Sequence, residues 1–295
     1  MRLPVDPPFD LQATVRLLQR RPSNPLDRWM DGAWLRLLDR PAGPVAVRVE
    51  QIAPDALALS WPLGRPSEGE VRRVEALVRR TLGLDVDLRP FHRALDRFPK
   101  LAPLAPKLRA VRPPRFTSLF EAIVGVVPFQ QVSLDAGVTI FGRVVERYGL
   151  ARALPGDERT ILHAAPRPEA IAGEQIDALR SVGMSAAKAR AIRAAAEAIA
   201  TGAISDEAIE ALPTDEARAR LVTLPGIGPW SADLVLLRGF GRLDAFPPHD
   251  VGVARGLKAL LGDTKPEVLA KAFAPQQGML YYTALLGKLH ARGLL

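Results

Sequence analysis

Between Ala33 and Trp61 apolar and polar residues alternate in the manner of strands. Ala33-Trp34-Leu35-Arg36-Leu37-Leu38 and Val45-Ala46-Val47-Arg48-Val49 flank Arg40-Pro41-Ala42-Gly43-Pro44, a spacing that predicts a hairpin. Ala56-Leu57-Ala58-Leu59-Ser60-Trp61 predicts a third strand. The period then changes. Ser67 with Glu70 reads as a capping box, opening a helix with Val71, Val74, Leu77 and Val78 on its apolar face. Pro99, Pro103, Pro106, Pro113 and Pro114 crowd the segment 99–114, which reads as a linker. From Phe116 onward the periodicity is helical almost throughout, predicting helices at 117–126, 130–148, 185–201, 214–222, 229–239, 250–261, 265–274 and 278–291. The Ala-rich run 186–200 has high helix propensity and reads as scaffold without chemistry of its own. The pattern predicts a mostly α protein, with a smaller α+β N-terminal domain over 1–112 and an all-helical domain over 113–295.

Composition narrows the chemistry. With 295 residues, 48% hydrophobic and 24% charged, the chain falls in the ordinary globular range. It contains no Cys, which excludes disulfides, thiolate zinc sites, Cys-ligated iron–sulfur clusters and Cys nucleophiles together. His92, His163, His249 and His290 lack ligand spacing. The opening Met1-Arg2-Leu3-Pro4-Val5-Asp6-Pro7-Pro8 shows no apolar run of secretory type, and no apolar stretch reaches the ~20 residues of a membrane span, so a cytoplasmic protein without a membrane partner is expected. The formal net charge is +8, with the excess at the two ends and a net acidic middle third. Such a balance suggests a polyanionic partner only weakly.

Two short elements carry the chemistry. Leu224-Pro225-Gly226-Ile227-Gly228-Pro229-Trp230-Ser231-Ala232 joins two helical patterns. Glycines two apart open backbone angles that other residues avoid, and Pro229 suits a first helical position. Free N–H groups and a positive helix end then suit a phosphate oxygen, so Gly226, Ile227 and Gly228 are candidate DNA contacts. An ordinary turn between packed helices fits the same letters. About twenty residues on, Asp244-Ala245-Phe246-Pro247-Pro248-His249-Asp250-Val251 breaks at two prolines and restarts a helix at or near Asp250. The helix end favours an ionised carboxylate there, although a helix N-cap explains the Asp equally well.

Taken together, hairpin, helix and Gly/Pro loop ending in Asp resemble the HhH-GPD (helix-hairpin-helix) superfamily of DNA glycosylases, and within it the AlkA-type 3-methyladenine DNA glycosylase II family. The resemblance extends to Pro7-Pro8-Phe9-Asp10, to Phe120-Glu121-Ala122-Ile123-Val124, and to Phe129-Gln130-Gln131-Val132-Ser133. It implies a helix-hairpin-helix glycosylase fold and a monomer acting on double-stranded DNA that contains damaged bases, in base excision repair. Asp250 takes the position of the catalytic aspartate, where a fixed carboxylate stabilises an oxocarbenium ion and orients water. Trp230 stands where the lyase branch carries its lysine, so a monofunctional enzyme is expected. Trp230 also matches an aromatic of the base pocket, whereas Leu234 and Gln276 fall where the family carries further aromatics, which puts base specificity in doubt. Tyr281, Tyr282 and Phe9 read as core, and His249 as a surface residue. Gln130 and Gln131 match the loop that enters the minor groove, with Gln131 in place of a leucine wedge. The resemblance further implies a structural Na+ or K+ on the hairpin carbonyls of Val222, Leu224 and Ile227, and no other cofactor. Two alternatives stand: a glycosylase for deaminated or oxidised purines, and a non-catalytic helix-hairpin-helix DNA-binding protein.

Overall fold

The computed structural model describes residues 1–247 and 249–294. The predicted hairpin and third strand form the middle of a five-stranded antiparallel sheet. Its strands are β1 (Arg2–Pro4), β2 (Arg28–Met30), β3 (Ala33–Leu38), β4 (Val45–Ala53) and β5 (Ala56–Ser60), in the order β1-β5-β4-β3-β2. In the β3–β4 hairpin Leu38 faces Val45 and Ala33 faces Glu50. One face, with Trp34, Val47, Val49 and Leu57, packs with Leu11, Val15 and Leu18 of α1 (Leu11–Gln19) and Val74 and Val78 of α2 (Glu68–Leu82). Ser67 caps α2 by accepting the Glu70 N–H. The Glu70 carboxylate does not close the box; it accepts from Arg40 Nε at 2.7 Å and from Arg73 Nη1 at 3.2 Å.

The alternation in β3 does not separate a wet face from a dry one, because all six of its residues are buried. The second face, with Ala33, Leu35, Leu37 and Ala46, is covered by Leu162 and Ala164. Leu162 belongs to a two-stranded hairpin, β6 (Ala151–Leu154) and β7 (Asp157–His163), inside the region expected to be purely helical. Its turn is Pro155-Gly156, with Gly156 at φ +83°, a local signal that the helical periodicity on either side masks.

The proline-rich segment is also no linker. Preceded by α3 (Arg89–Leu95), it contains a 3-10 turn (Pro99–Leu101) and α4 (Ala105–Ala110), and all three carry Pro in their first two positions, where a missing N–H costs nothing. Leu101, Leu104, Leu108 and Val111 are buried in the core of the C-terminal helices. That core is assembled from α5 (Leu119–Val124), α6 (Leu134–Tyr148), α7 (Glu169–Ala172), α8 (Ile176–Arg180), α9 (Ala186–Ala200), α10 (Asp206–Glu210), α11 (Thr214–Val222), α12 (Pro229–Phe240), α13 (Val251–Leu261), α14 (Pro266–Phe273) and α15 (Met279–Ala291). The helix expected from 130 starts four residues later. Pro128 sits in a 3-10 turn, Ser133 caps α6, and 130–133 is left as a turn outside the helix. Among the described residues no helix is long and apolar enough to cross a membrane.

Sheet and helices are tied by buried charge. Arg36 of β3 pairs with Asp27 at 2.7 Å and with Glu121 of α5 at 2.6 Å, all three at most 1% exposed. Trp34 Nε1 donates to the same Asp27 at 3.1 Å. Removing one member of such a network strands the others in a low-dielectric interior. Arg36→Ala is expected to cost about 3–5 kcal/mol in urea unfolding, whereas Arg65→Ala, which breaks the exposed pair with Glu68, leaves the midpoint unchanged. Equal effects would mean that the buried network does not hold the sheet to α5.

Candidate functional site

The turn 224–228 between α11 and α12 needs its first glycine for two reasons. Gly226 has φ +77°, and a Cβ there would lie 2.5 Å from the Ala191 Cβ of α9. The alanine helix is therefore what lets the turn come close. Gly228 differs: its backbone is extended at φ −90°, ψ 179°, and a Cβ would meet nothing within 4 Å. It is the N-cap of α12 with Pro229 following, so its exposed backbone and the unpaired first-turn N–H groups face open space. Ile227 is buried and contributes only backbone to this surface.

The loop 130–133 is fastened to the turn. Gln130 Nε2 donates to the Gly226 carbonyl and to Ser231 Oγ, both at 2.9 Å. From the other side Lys188 Nζ of α9 donates to the Pro128 carbonyl at 2.9 Å. Gln131 remains exposed at φ +54°, and neighbouring Val132 is 41% exposed.

Behind turn and loop lies a cleft of about 910 Å³, of the size that takes a small molecule or a single base. Asp250 stands on its wall as the N-cap of α13. Its Oδ1 accepts the Val253 N–H at 2.8 Å, and its Oδ2 accepts the indole N–H of Trp230 at 3.0 Å. Both carboxylate oxygens are thus oriented, one by a helix end and one by an aromatic ring that lines the same cleft. Leu234 lies one turn along α12 from Trp230 and also faces the cleft, while His249 is exposed at its rim.

The structure therefore brings together Trp230, Leu234, Asp250, Gly226, Gly228, Gln130 and Gln131 around one cleft. Gln276 does not join them. Its Nε2 donates to the Asp87 carbonyl at 2.6 Å and its Oε1 accepts the Phe91 N–H at 2.9 Å, so the amide fastens the start of α3. Phe9 and Tyr282 are core residues as expected, but Tyr281 reaches the cleft. On the hairpin, the Leu224 carbonyl accepts the Ile227 N–H at 3.1 Å and keeps one lone pair. Among the described residues no three His, Cys, Asp or Glu side chains cluster as metal ligands.

Sequence reasoning missed three polar residues on the cleft wall: Arg20, Tyr281 and Lys288. Tyr281, Leu285 and Lys288 stand at i, i+4 and i+7 on α15, and a lysine ending that stripe was a usable signal. Lys288 Nζ donates to the Gly252 carbonyl at 2.5 Å; burial lowers its pKa from the ordinary lysine value, and the charge of Asp250 opposes that. Arg20, which follows α1, carried no sequence signal. Its guanidinium donates to Tyr281 Oη at 2.8 Å and lies 4.2 Å from the Phe129 ring centre.

The chain matches the family described as HhH-GPD superfamily base excision DNA repair protein over residues 124–273, and the AlkA N-terminal domain over residues 1–118. It is 32% identical over 260 residues to a Mycobacterium tuberculosis protein named "Probable bifunctional transcriptional activator/DNA repair enzyme AlkA", covering 88% of this chain and 50% of that one. It is 30% identical over 207 residues to a Bacillus subtilis DNA-3-methyladenine glycosylase, covering 69% of this chain and 67% of that one. The chain spans about half the length of the first of these relatives. Among solved structures, a 3-methyladenine DNA-glycosylase from Archaeoglobus fulgidus has a TM-score of 0.83 at 23% identity over 99% of both chains, a likeness that shows the fold.

The two glycines of the turn are expected to respond differently to a methyl group. Gly226→Ala forces a left-handed backbone and a clash with Ala191, and should lose about 1–3 kcal/mol in chemical denaturation. Gly228→Ala should stay within about 1 kcal/mol of wild type. Equal losses would contradict the distinct conformations of the two positions.

Proposed function

Because the chain belongs to the HhH-GPD superfamily of base excision DNA repair proteins, we propose that it is a monofunctional DNA glycosylase, hydrolysing the N-glycosidic bond of alkylated, 3-methyladenine-like bases in double-stranded DNA. The observation that carries this reading is the Asp250 carboxylate, held by two hydrogen bonds on the wall of a base-sized cleft. A fixed negative charge beside the phosphate-binding turn works against gripping DNA alone, and the N-cap role Asp250 also fills is open to an uncharged Ser or Asn. The turn at Gly226–Gly228 and the start of α12 hold the backbone of the damaged strand through N–H groups. Gln131, exposed on a loop that Gln130 and Lys188 keep in place, enters the gap left by the flipped nucleotide.

The flipped base then lies in the cleft against Trp230. As the C1′–N bond breaks, its electron pair leaves with the base and positive charge builds on the sugar. Asp250 stabilises that charge and orients the water that adds to C1′. Asp250 is half-buried on the cleft wall, and the same carboxylate in bulk water would contribute less. A monovalent cation on the carbonyls of Val222, Leu224 and Ile227 belongs to the same proposal, and the remaining Leu224 lone pair is compatible with it.

Two outcomes test the reading. On duplexes carrying single alkylated bases, strand cleavage by hot alkali after incubation should reveal excision by the wild type. Asp250→Asn should slow it by about 10²–10³-fold or more while lesion binding persists. In that variant one of the two donors, Trp230 Nε1 or Val253 N, meets an amide nitrogen, so folding is checked by circular dichroism. Near-normal excision would remove Asp250 from the chemistry. Borohydride should trap no covalent adduct with DNA, since position 230 is Trp and, among the described residues, the one lysine on the cleft wall, Lys288, is hydrogen-bonded to the Gly252 carbonyl. A trapped band would contradict hydrolysis by water alone, and its loss in Lys288→Arg would identify the attacking amine.

A further inference from the structure

Two arginines lie behind the cleft without a carboxylate of their own. Arg20 is 5% exposed and Arg238 of α12 is 1% exposed, and among the described residues neither forms an ion pair. Arg238 donates to the Leu18 carbonyl at 3.2 Å and leaves Nε and Nη1 buried without an acceptor. Arg20 leaves its Nε buried in the same way. Its backbone is at φ +63°, a region that side chains other than glycine rarely occupy. A buried cation with unmatched donors on a strained backbone is costly, and costs of this kind collect at functional sites.

Arg20 is also the one of the pair that lines the cleft, with Tyr281 and Phe129 fixing its direction. Burial, followed by the repulsion of Arg238, brings its pKa down to about 10, so it stays charged at neutral pH. The charged groups on the cleft wall are then two cations, Arg20 and Lys288, against one anion, Asp250. A base that is already cationic meets like charge there. A neutral base with carbonyl or ring-nitrogen acceptors meets a desolvated donor.

The leaving group sharpens the distinction. When the glycosidic bond of a neutral purine breaks, the electron pair makes the base an anion. Water then adds to C1′, and its proton ends on the departed base. A cationic lesion leaves neutral and gains nothing from a nearby guanidinium. We propose that Arg20 is a specificity-determining residue, which binds the acceptor edge of neutral damaged purines and stabilises the negative charge with which they leave. The inference rests on the glycosylase reading and extends its lesion class from alkylated bases to neutral, deaminated purines.

The test is a ratio of single-turnover excision rates on two duplexes. One carries hypoxanthine, which leaves as an anion; the other carries 7-methylguanine, which is cationic at mildly acidic pH. Arg20→Gln removes the charge, and Arg20→Lys restores it. The hypoxanthine-to-7-methylguanine ratio is expected to fall about tenfold or more in Arg20→Gln and to recover to within about threefold of wild type in Arg20→Lys. If both rates fall together and the ratio is unchanged, Arg20 is structural and the proposal is overturned. If Arg20→Gln does not fold, Tyr281→Phe, which releases the guanidinium but keeps the ring, must lower the ratio; an unchanged ratio there overturns the proposal too. Wild-type excision of 7-methylguanine without hypoxanthine overturns it while the glycosylase reading stands. Excision of neither lesion by the wild type overturns both.

Discussion

The Asp250 carboxylate is the point on which fold and site depend together. One oxygen starts α13 by accepting the Val253 N–H, and the other accepts the indole N–H of Trp230 at the start of α12. The same two bonds therefore begin a helix, join it to the helix behind the glycine turn, and fix the direction of a negative charge. A carboxylate cap is favoured by the helix end it faces, so Asp250 at this position strengthens the fold instead of straining it. Trp230 consequently does more than line the cleft. It is a positioning residue that couples the aromatic surface of the cleft to the orientation of its acid.

Everything else about the cleft depends on keeping loops near that carboxylate. Gly226 permits contact with α9, α9 returns Lys188 to the Pro128 carbonyl, and Gln130 closes the circuit by donating to the Gly226 carbonyl. Few of these contacts carry much energy alone, but together they fix where an exposed Gln131 can stand. The N-terminal region contributes directly as well. The buried Arg36–Asp27–Glu121 network joins the sheet to α5, and α1 packs on α15 and delivers Arg20 to Tyr281. The α+β part of the chain is therefore part of the cleft wall.

What could be read from the sequence follows the range of the forces involved. Asp250 as a helix start, Ser67 as a cap, and Leu234 one turn from Trp230 are local matters of hydrogen bonding and helical period. The β3–β4 hairpin was legible for the same reason. By contrast, β3 is buried on both faces because of a hairpin more than a hundred residues away, which no alternation within β3 could reveal. The segment 99–114 looked like a linker because proline was read as a breaker, whereas Pro99 and Pro106 occupy first helical turns and the segment's leucines enter a shared core. Gln276 was placed by the family resemblance alone, and the polar backbone of α3 claims it. Arg20 reaches the cleft only through tertiary packing, so nothing in its neighbourhood announced it.

The central claim is that Asp250 stabilises positive charge developing on the sugar, and binding to a mimic of that charge tests it without any bond being broken. Affinities are compared for two otherwise identical duplexes, one carrying a cationic pyrrolidine at the flipped position and the other an uncharged tetrahydrofuran. The account predicts that the wild type prefers the pyrrolidine duplex and that Asp250→Asn, still folded, loses most of that preference. An equal preference in the two proteins would contradict it, because the charge on the sugar would then be recognised by something other than Asp250.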